Sequence, residues 1–288
     1  MLKTIDRVQI ATAHAAETAA MWVRSLEAEP AGTDRVAALA AKRTTCRVGR
    51  GVVEFLEPDG AGPIEEALAR RKRPHLYAAG ASCVDVAGLA QRLQARGVQV
   101  VAEGDQVFFD LAPVLGVAAP MVVSPWQERQ SVGLIDYLYE VTLLADDVAA
   151  RVARFADAFG LAEDVFQPIA SETFGYEGVL TLFADDALHR FEIIHPYDRE
   201  KTMGRFFGRE GACYYMCFAE TPGMTALEAR AAEVGGGITI ERPETRATTA
   251  AADQMWLHPP ALGGVMMGLS RPSMAWRWSG HPERVQPL

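Results

Sequence analysis

Short apolar runs bounded by turn residues dominate the chain, and between them lie longer stretches whose apolar side chains recur at helical spacing. "RVQIATAHAAETAAMWVRSL", from Arg7, opens on a β-prone run and passes into an alanine-rich helical stretch containing Met21 and Trp22. "EVTLLADDVAARVARFADAFGL", from Glu140, follows the same course, with Arg154 and Phe155 at the corresponding places. Each is followed by a strand closed by a proline, "VVEFLEP" and "RFEIIHP", with a glutamate at its centre, Glu54 and Glu192. Nineteen residues past each terminal proline, Pro58 and Pro196, stands a tyrosine: Tyr77 in "HLYAAGASC" and Tyr215 in "CYYMCFAE". A helix follows in both halves, "VAGLAQRLQARG" closed by Gly97 and "MTALEARAAEVGGG" closed by a glycine run suited to a C-cap. Each half ends in a strand opened by Leu-Gly, "LGVAAPMVVSP" and "LGGVMMGLSRP".

The equal intervals from Glu54 to Tyr77 and from Glu192 to Tyr215 identify an internal repeat. The pattern predicts two homologous modules, residues 1–128 and 132–288, joined by the polar "QERQSVG". Within each, strand, helix and further strands occur twice, which is a βαβββ unit used in tandem. The fold class is therefore α+β, with curved mixed sheets carrying helices on their outer faces. Such a sheet closes partway around a cup, and alternate strand residues line it.

Composition narrows the function. With 49% hydrophobic and 23% charged residues the chain is a folded globular protein, and a net charge of −9 argues against a nucleic-acid partner. One basic cluster, Arg70, Arg71, Lys72 and Arg73, reads as a solvated helix end or as an attractor of an anionic substrate. No basic start precedes an apolar run and no apolar stretch approaches about 18 residues, so the expectation is a cytoplasmic protein with no membrane partner. Cys46, Cys83, Cys213 and Cys217 lack CxxC spacing and read as buried reduced thiols.

On "GVVEFLEPDGAGPIEEAL", "HRFEIIHP" and "HPPALGGVMMGL", and on the repeat itself, the chain resembles the vicinal oxygen chelate superfamily. That group includes glyoxalase I, methylmalonyl-CoA epimerase, extradiol dioxygenases and bleomycin resistance proteins. The resemblance implies two glyoxalase-like domains. It also implies four cup positions that hold a divalent ion in metal-using members: a His, a Glu or Gln, a His and a Glu. Carried onto the first module these fall on Arg7, Glu54, the neighbourhood of Tyr77, and Pro120; onto the second, on Glu140, Glu192, Tyr215 or Met216, and Gly268. No histidine occupies any of them, so no metal ligand is assigned, and at most a hard ion held weakly by carboxylates and water remains as a cofactor.

The two modules then separate in chemistry. Arg7 and Glu54 are expected to face each other as an ion pair, which makes the first cup structural or a binding pocket, with Tyr77 beside it. Glu140 and Glu192 are expected to share the second cup with Tyr215, and two close carboxylates raise the pKa of one of them. That suits proton abstraction next to a carbonyl, with Tyr215 donating to the developing enolate. The structural alternative is an ion pair between Glu192 and Arg190 or Arg205. His189 and His75 are read as facing solvent, and His195 and His258 as turn residues. The terminal "MAWRWSGHPERVQP" reads as an extended tail packing on its own module, or as a lid with Arg277 over an anionic ligand.

Three functions follow. The first is a small-molecule enzyme of lyase, isomerase or epimerase type, acting on a carbonyl, aromatic or thioester metabolite, with Glu140, Glu192 and Tyr215 as its catalytic groups and Arg7, Glu54, Tyr77 and Arg277 as binding groups. The second is a metal-free protein that binds or sequesters a small molecule. The third is a metal-dependent extradiol-type dioxygenase. The expected assembly is a monomer acting as an internal pseudo-dimer, or a homodimer.

Overall fold

The computed structural model describes residues 1–288. The first half runs β1 (Leu2–Ala11), α1 (Ala15–Leu26), β2 (Glu29–Val36), β3 (Ala41–Val48), β4 (Gly51–Pro58), α2 (Pro63–Arg71), β5 (His75–Cys83), α3 (Val86–Gln94), β6 (Val100–Glu103), β7 (Gln106–Asp110), α4 (Ala112–Leu115) and β8 (Pro120–Pro125). The second runs β9 (Tyr137–Leu144), α5 (Val148–Phe159), β10 (Gln167–Ser171), β11 (Tyr176–Ala184), β12 (Ala187–Pro196), α6 (Thr202–Glu210), β13 (Cys213–Glu220), α7 (Met224–Val234), β14 (Ile238–Glu241), β15 (Gln254–Leu257) and β16 (Met266–Ser270). Two eight-stranded sheets result, ordered β2-β3-β4-β1-β5-β8-β7-β6 and β10-β11-β12-β9-β13-β16-β15-β14, so each strand of the first has its counterpart eight strands later. The fold is α+β, and the repeat read from the sequence is present strand for strand. No helix is long and apolar enough to cross a membrane.

The helices form where apolar residues recur at one face. Ala15, Ala19, Trp22 and Leu26 are buried along α1, and Val152, Phe155, Ala156 and Phe159 along α5. These faces join the helix-side residues of both sheets in one buried cluster, from Val8 and Trp22 to Phe155 and Leu262. The halves are also tied by polar bonds. Trp22 Nε1 donates to the Leu262 carbonyl at 3.0 Å, Ser25 Oγ donates to that of Ala261 at 2.9 Å, and Arg92 caps the C-terminus of α5 through the Asp157 and Ala158 carbonyls. His189, expected in solvent, instead accepts from the Ile5 backbone N–H at 3.2 Å. It sits between the halves, and burial holds it neutral, with its pKa lowered to about 4.

Each sheet is kinked by bulges at matching places. Between β1 and β5 the register shifts from Ile5 to Arg7 and again from Gln9 to Ile10; between β9 and β13 it shifts from Leu138 to Glu140 and from Thr142 to Leu143. A bulge turns two successive side chains to one face, and so Asp6 and Arg7 meet at 3.3 Å. Gly80, opposite Arg7 on β5, is there because any Cβ would overlap the Arg7 side chain. Gly80→Ala is expected to cost about 1–3 kcal/mol by overpacking, read as a lower urea midpoint at unchanged slope.

Two readings of the chain ends differ from the sequence expectation. The strand expected from Leu115 begins only at Pro120, because Leu115 ends α4 and Gly116 turns the backbone left-handed (φ 73°). The terminal segment is not extended. It coils into 3-10 turns at Met274–Trp278 and Pro282–Arg284, and Ala275 packs against Tyr139 and Leu188.

Candidate active site in the second cup

Strand alternation and parallel pairing place four polar side chains together in the second cup. On β9, Val141 and Leu143 join the core between the sheets, which leaves Glu140 and Thr142 on the concave face; on β12, Phe191 and Ile193 leave Arg190 and Glu192 there. The register pairs Glu140 with Arg190 and Thr142 with Glu192. All four are at most 4% exposed.

Arg190 donates through Nε to Glu140 Oε2 at 2.6 Å, and through Nη1 to Ser279 Oγ at 2.8 Å and the Leu188 carbonyl at 3.2 Å. Its guanidinium lies 4.9 Å over the Tyr139 ring, and its Nη2 has no partner. Glu192 receives only the Thr142 hydroxyl, on Oε2 at 2.6 Å. The ion pair offered as the structural alternative for Glu192 is made instead by Glu140, because parallel pairing sets Arg190 directly beside Glu140 and one pleat away from Glu192. Arg205 is exposed and lies on α6.

The electrostatics follow from that division. Burial raises the pKa of Glu140, with Arg190 working against it. Burial and then the charge of Glu140 push Glu192 up to about 8, opposed by Thr142 and Arg190. Burial, followed by the charges of Glu192 and Glu140, also raises the Tyr176 phenol. Tyr176 pairs with Pro196 at the start of β11 and packs in the cluster of Ile194, Phe207 and Tyr215. Tyr215 is raised by burial alone and packs on Phe206, ring centroids 5.0 Å apart, toward the end of the cup closed by α6. Arg277 is exposed on the outside of the terminal turn.

In the first cup every charge is answered. Glu54 Oε1 lies 3.1 Å from Arg7 Nη1 and 3.2 Å from Arg43 Nη1, while Oε2 accepts from Gln9 Nε2 at 2.7 Å. Arg7 Nη2 donates to Ser124 Oγ at 2.6 Å. Burial lowers the Arg7 pKa, but the charges of Asp6 and Glu54 outweigh it and raise the group. Tyr77 packs with Leu56, Phe108 and Val122 in the apolar part of the cup.

The bulges also decide whether the cups suit a divalent ion. Glu140 faces Phe218, not Tyr215, and Phe218 pairs with Gly268, where any Cβ would overlap its ring. The second cup thus presents Glu140, Glu192, a phenyl ring and a glycine, with a guanidinium already on one carboxylate. The first presents Arg7, Glu54, Gly80 and Val122. No group of three His, Cys, Asp or Glu side chains is placed to hold a metal. Neither donor set fits the four-ligand site that the resemblance implies.

Sequence reading missed Thr142, Tyr176 and Ser279. Thr142 had a signal, since it lies two residues beyond Glu140 and so shares its face; Tyr176 and Ser279 arrive through long-range packing and had none.

No protein-family model matches the chain, and no curated protein matches it by sequence. Solved structures do resemble it. A triple variant of 4-hydroxymandelate synthase from Streptomyces coelicolor superposes with a TM-score of 0.67 at 13% identity, covering 99% of this chain and 100% of the other. BphC, a halotolerant catechol dioxygenase, gives 0.62 at 11% identity over 94% and 87% of the two chains. A fusion of a xylose isomerase-like TIM barrel with a 4-hydroxyphenylpyruvate dioxygenase gives 0.63 at 10% identity, covering 94% of this chain and 49% of the fusion. The chain has the vicinal oxygen chelate fold in its two-module form.

Proposed function

We propose that the second cup transfers a proton on a small carbonyl, aromatic or thioester compound, with the Glu192 carboxyl as the group that carries it. The supporting observation is the unequal treatment of two adjacent buried acids: Glu140 has taken the only guanidinium, and Glu192 is left with a hydroxyl. A carboxyl whose pKa lies near 8 exists in both forms close to neutrality, which suits general acid–base work. With Thr142 on Oε2, Oε1 is the oxygen that takes and returns the proton.

In the step we infer, ionised Glu192 removes a proton from the carbon next to the carbonyl. The electron pair of the broken C–H bond becomes an enolate, which accepts a hydrogen bond from Tyr176. Glu192 then returns the proton to carbon. Glu140, clamped by Arg190, is a positioning residue that keeps the pKa of Glu192 high, and Tyr215 stands at the cup's α6 end as a binding group. Structures named for 4-hydroxymandelate and catechol chemistry share the fold, which supports a small-molecule substrate.

The test is deuterium uptake. Incubated in D2O with α-keto acids, aryl ketones and acyl thioesters, the protein is expected to label one of these classes at the carbon next to the carbonyl, as seen by mass spectrometry. Glu192→Gln should lower the rate by at least about 100-fold while ligand binding persists. Equal labelling by the variant would remove Glu192 from this role.

A cavity of about 460 Å³ in the first cup, walled by Leu39 and Phe108, favours a second reading, that of a binding or sequestering protein. In that case ligand is recovered unlabelled from both forms.

A further inference from the structure

Where the two halves meet, a pocket of about 210 Å³ is lined by Arg70, Arg71, His75, Tyr77, Asp110 and Tyr214. It adjoins the first-cup cavity, sharing Pro63, Tyr77, Asp110 and Pro120 as common wall. His75, expected in solvent, is only 5% exposed, and Tyr214 only 3%. Ala212, Cys213 and Tyr214 of the second half close the pocket beside His75. The Tyr214 hydroxyl makes no bond within the protein and yet is not sealed in. The same holds for His75 Nε2, since it is Nδ1 that donates to the Arg73 carbonyl, at 2.9 Å. Two polar groups on nearly buried side chains thus face this space without partners.

The lining sets two arginines, Arg70 and Arg71, against two acids, Glu66 and Asp110, so its formal charge is balanced, and further arginines stand just outside it. Glu210 alone faces Arg73 at 2.7 Å, Arg209 at 2.8 Å and Arg71 at 3.7 Å, and Arg70 is a fourth arginine with no carboxylate of its own. On the other side stand Glu66 and Asp110, and Asp110 Oδ1 already accepts from the Ala112 and Ala119 backbone N–H groups at 2.8 and 2.9 Å. Burial, and then the arginine charges, hold His75 at about 4, so it is neutral and its Nε2 is an acceptor.

We propose that this composite site binds a small monocarboxylate with an apolar body. The acid group lies against Arg70 and the Tyr77 and Tyr214 hydroxyls, and the body occupies the first cup beside Leu39 and Phe108. A water or ligand hydroxyl beside the acid donates to His75 Nε2. The site uses neither Glu140 nor Glu192, so it stands whether or not the second cup is catalytic.

Octanoate and 1-octanol serve as probes, titrated calorimetrically into the full-length protein. Octanoate is expected to bind about tenfold tighter than octanol, the value of one charge-assisted interaction. Arg70→Ala and Tyr214→Phe should each remove most of that difference, Glu192→Gln should leave it intact, and the octanoate chain should show NMR proximity to the Leu39 methyls. Equal binding of acid and alcohol, no binding of octanoate, or unchanged affinity in both pocket variants would overturn the proposal.

Discussion

Glu192→Gln is expected to be more stable than the wild type at pH 8, and the advantage should vanish near pH 5. Folded Glu192 holds its proton up to about 8, whereas the unfolded side chain releases it from about 4.5. Between those values the folded state binds more protons than the unfolded one. Stability of the wild type therefore falls as pH rises through that window, by up to about 1.4 kcal/mol per pH unit. Glutamine has no charge to bury and keeps an oxygen to accept from Thr142. Urea unfolding of both forms across the window should show a gap that widens with pH and levels off above about 8. A gap that does not change with pH would mean that Glu192 titrates normally. Stability gained together with exchange activity lost is the signature of an acid retained for chemistry at a cost to the fold.

Arg190→Met should be the most damaging single change in the second cup. It strands Glu140, 2% exposed, without its cation, and also releases Ser279 and thereby the terminal turn. Removing one partner of a buried ion pair costs roughly 3–5 kcal/mol, and at roughly 2–4 °C per kcal/mol for a chain of this size the melting temperature should fall by about 10 °C. The loss should shrink as pH is lowered and Glu140 takes up a proton. Combining Arg190→Met with Glu140→Leu should restore most of it, since no charge is then left buried. Additive losses in the double variant would show that Arg190 acts mainly through its packing on Tyr139 and not through Glu140. Lysine is a poor replacement because a single ammonium cannot reach Glu140, Leu188 and Ser279 from one position.

Much of this molecule could be read locally. The spacing of Ala15, Ala19, Trp22 and Leu26 shapes α1 whatever surrounds it, and the apolar runs at 75–83 and 213–220 coincide with β5 and β13. The repeat was visible because each copy preserves its own intervals. Arg7 and Glu54 could be matched because both lie on strands whose facing is set by alternation, and the structure joins them at 3.1 Å.

The candidate site was legible only as to its face. Alternation fixed that Glu140, Arg190 and Glu192 point into one cup, since residues two apart share a side. It could not say which acid receives the arginine, because register is a property of two strands and is fixed by their pairing. Nor could it place the bulges at Leu138–Glu140 and Thr142–Leu143, which set Phe218 opposite Glu140 and send Tyr215 toward Phe206. His75, His189 and Ser279 looked like surface or tail residues because what covers them is distant in the chain. The two-module βαβββ architecture, the helix faces and the acidic character of the second cup could be read along the chain, because each depends on neighbours a few residues apart. Which carboxylate is neutralised and which is left to hold a proton follows from packing alone, because a buried charge is governed by partners that folding brings from elsewhere.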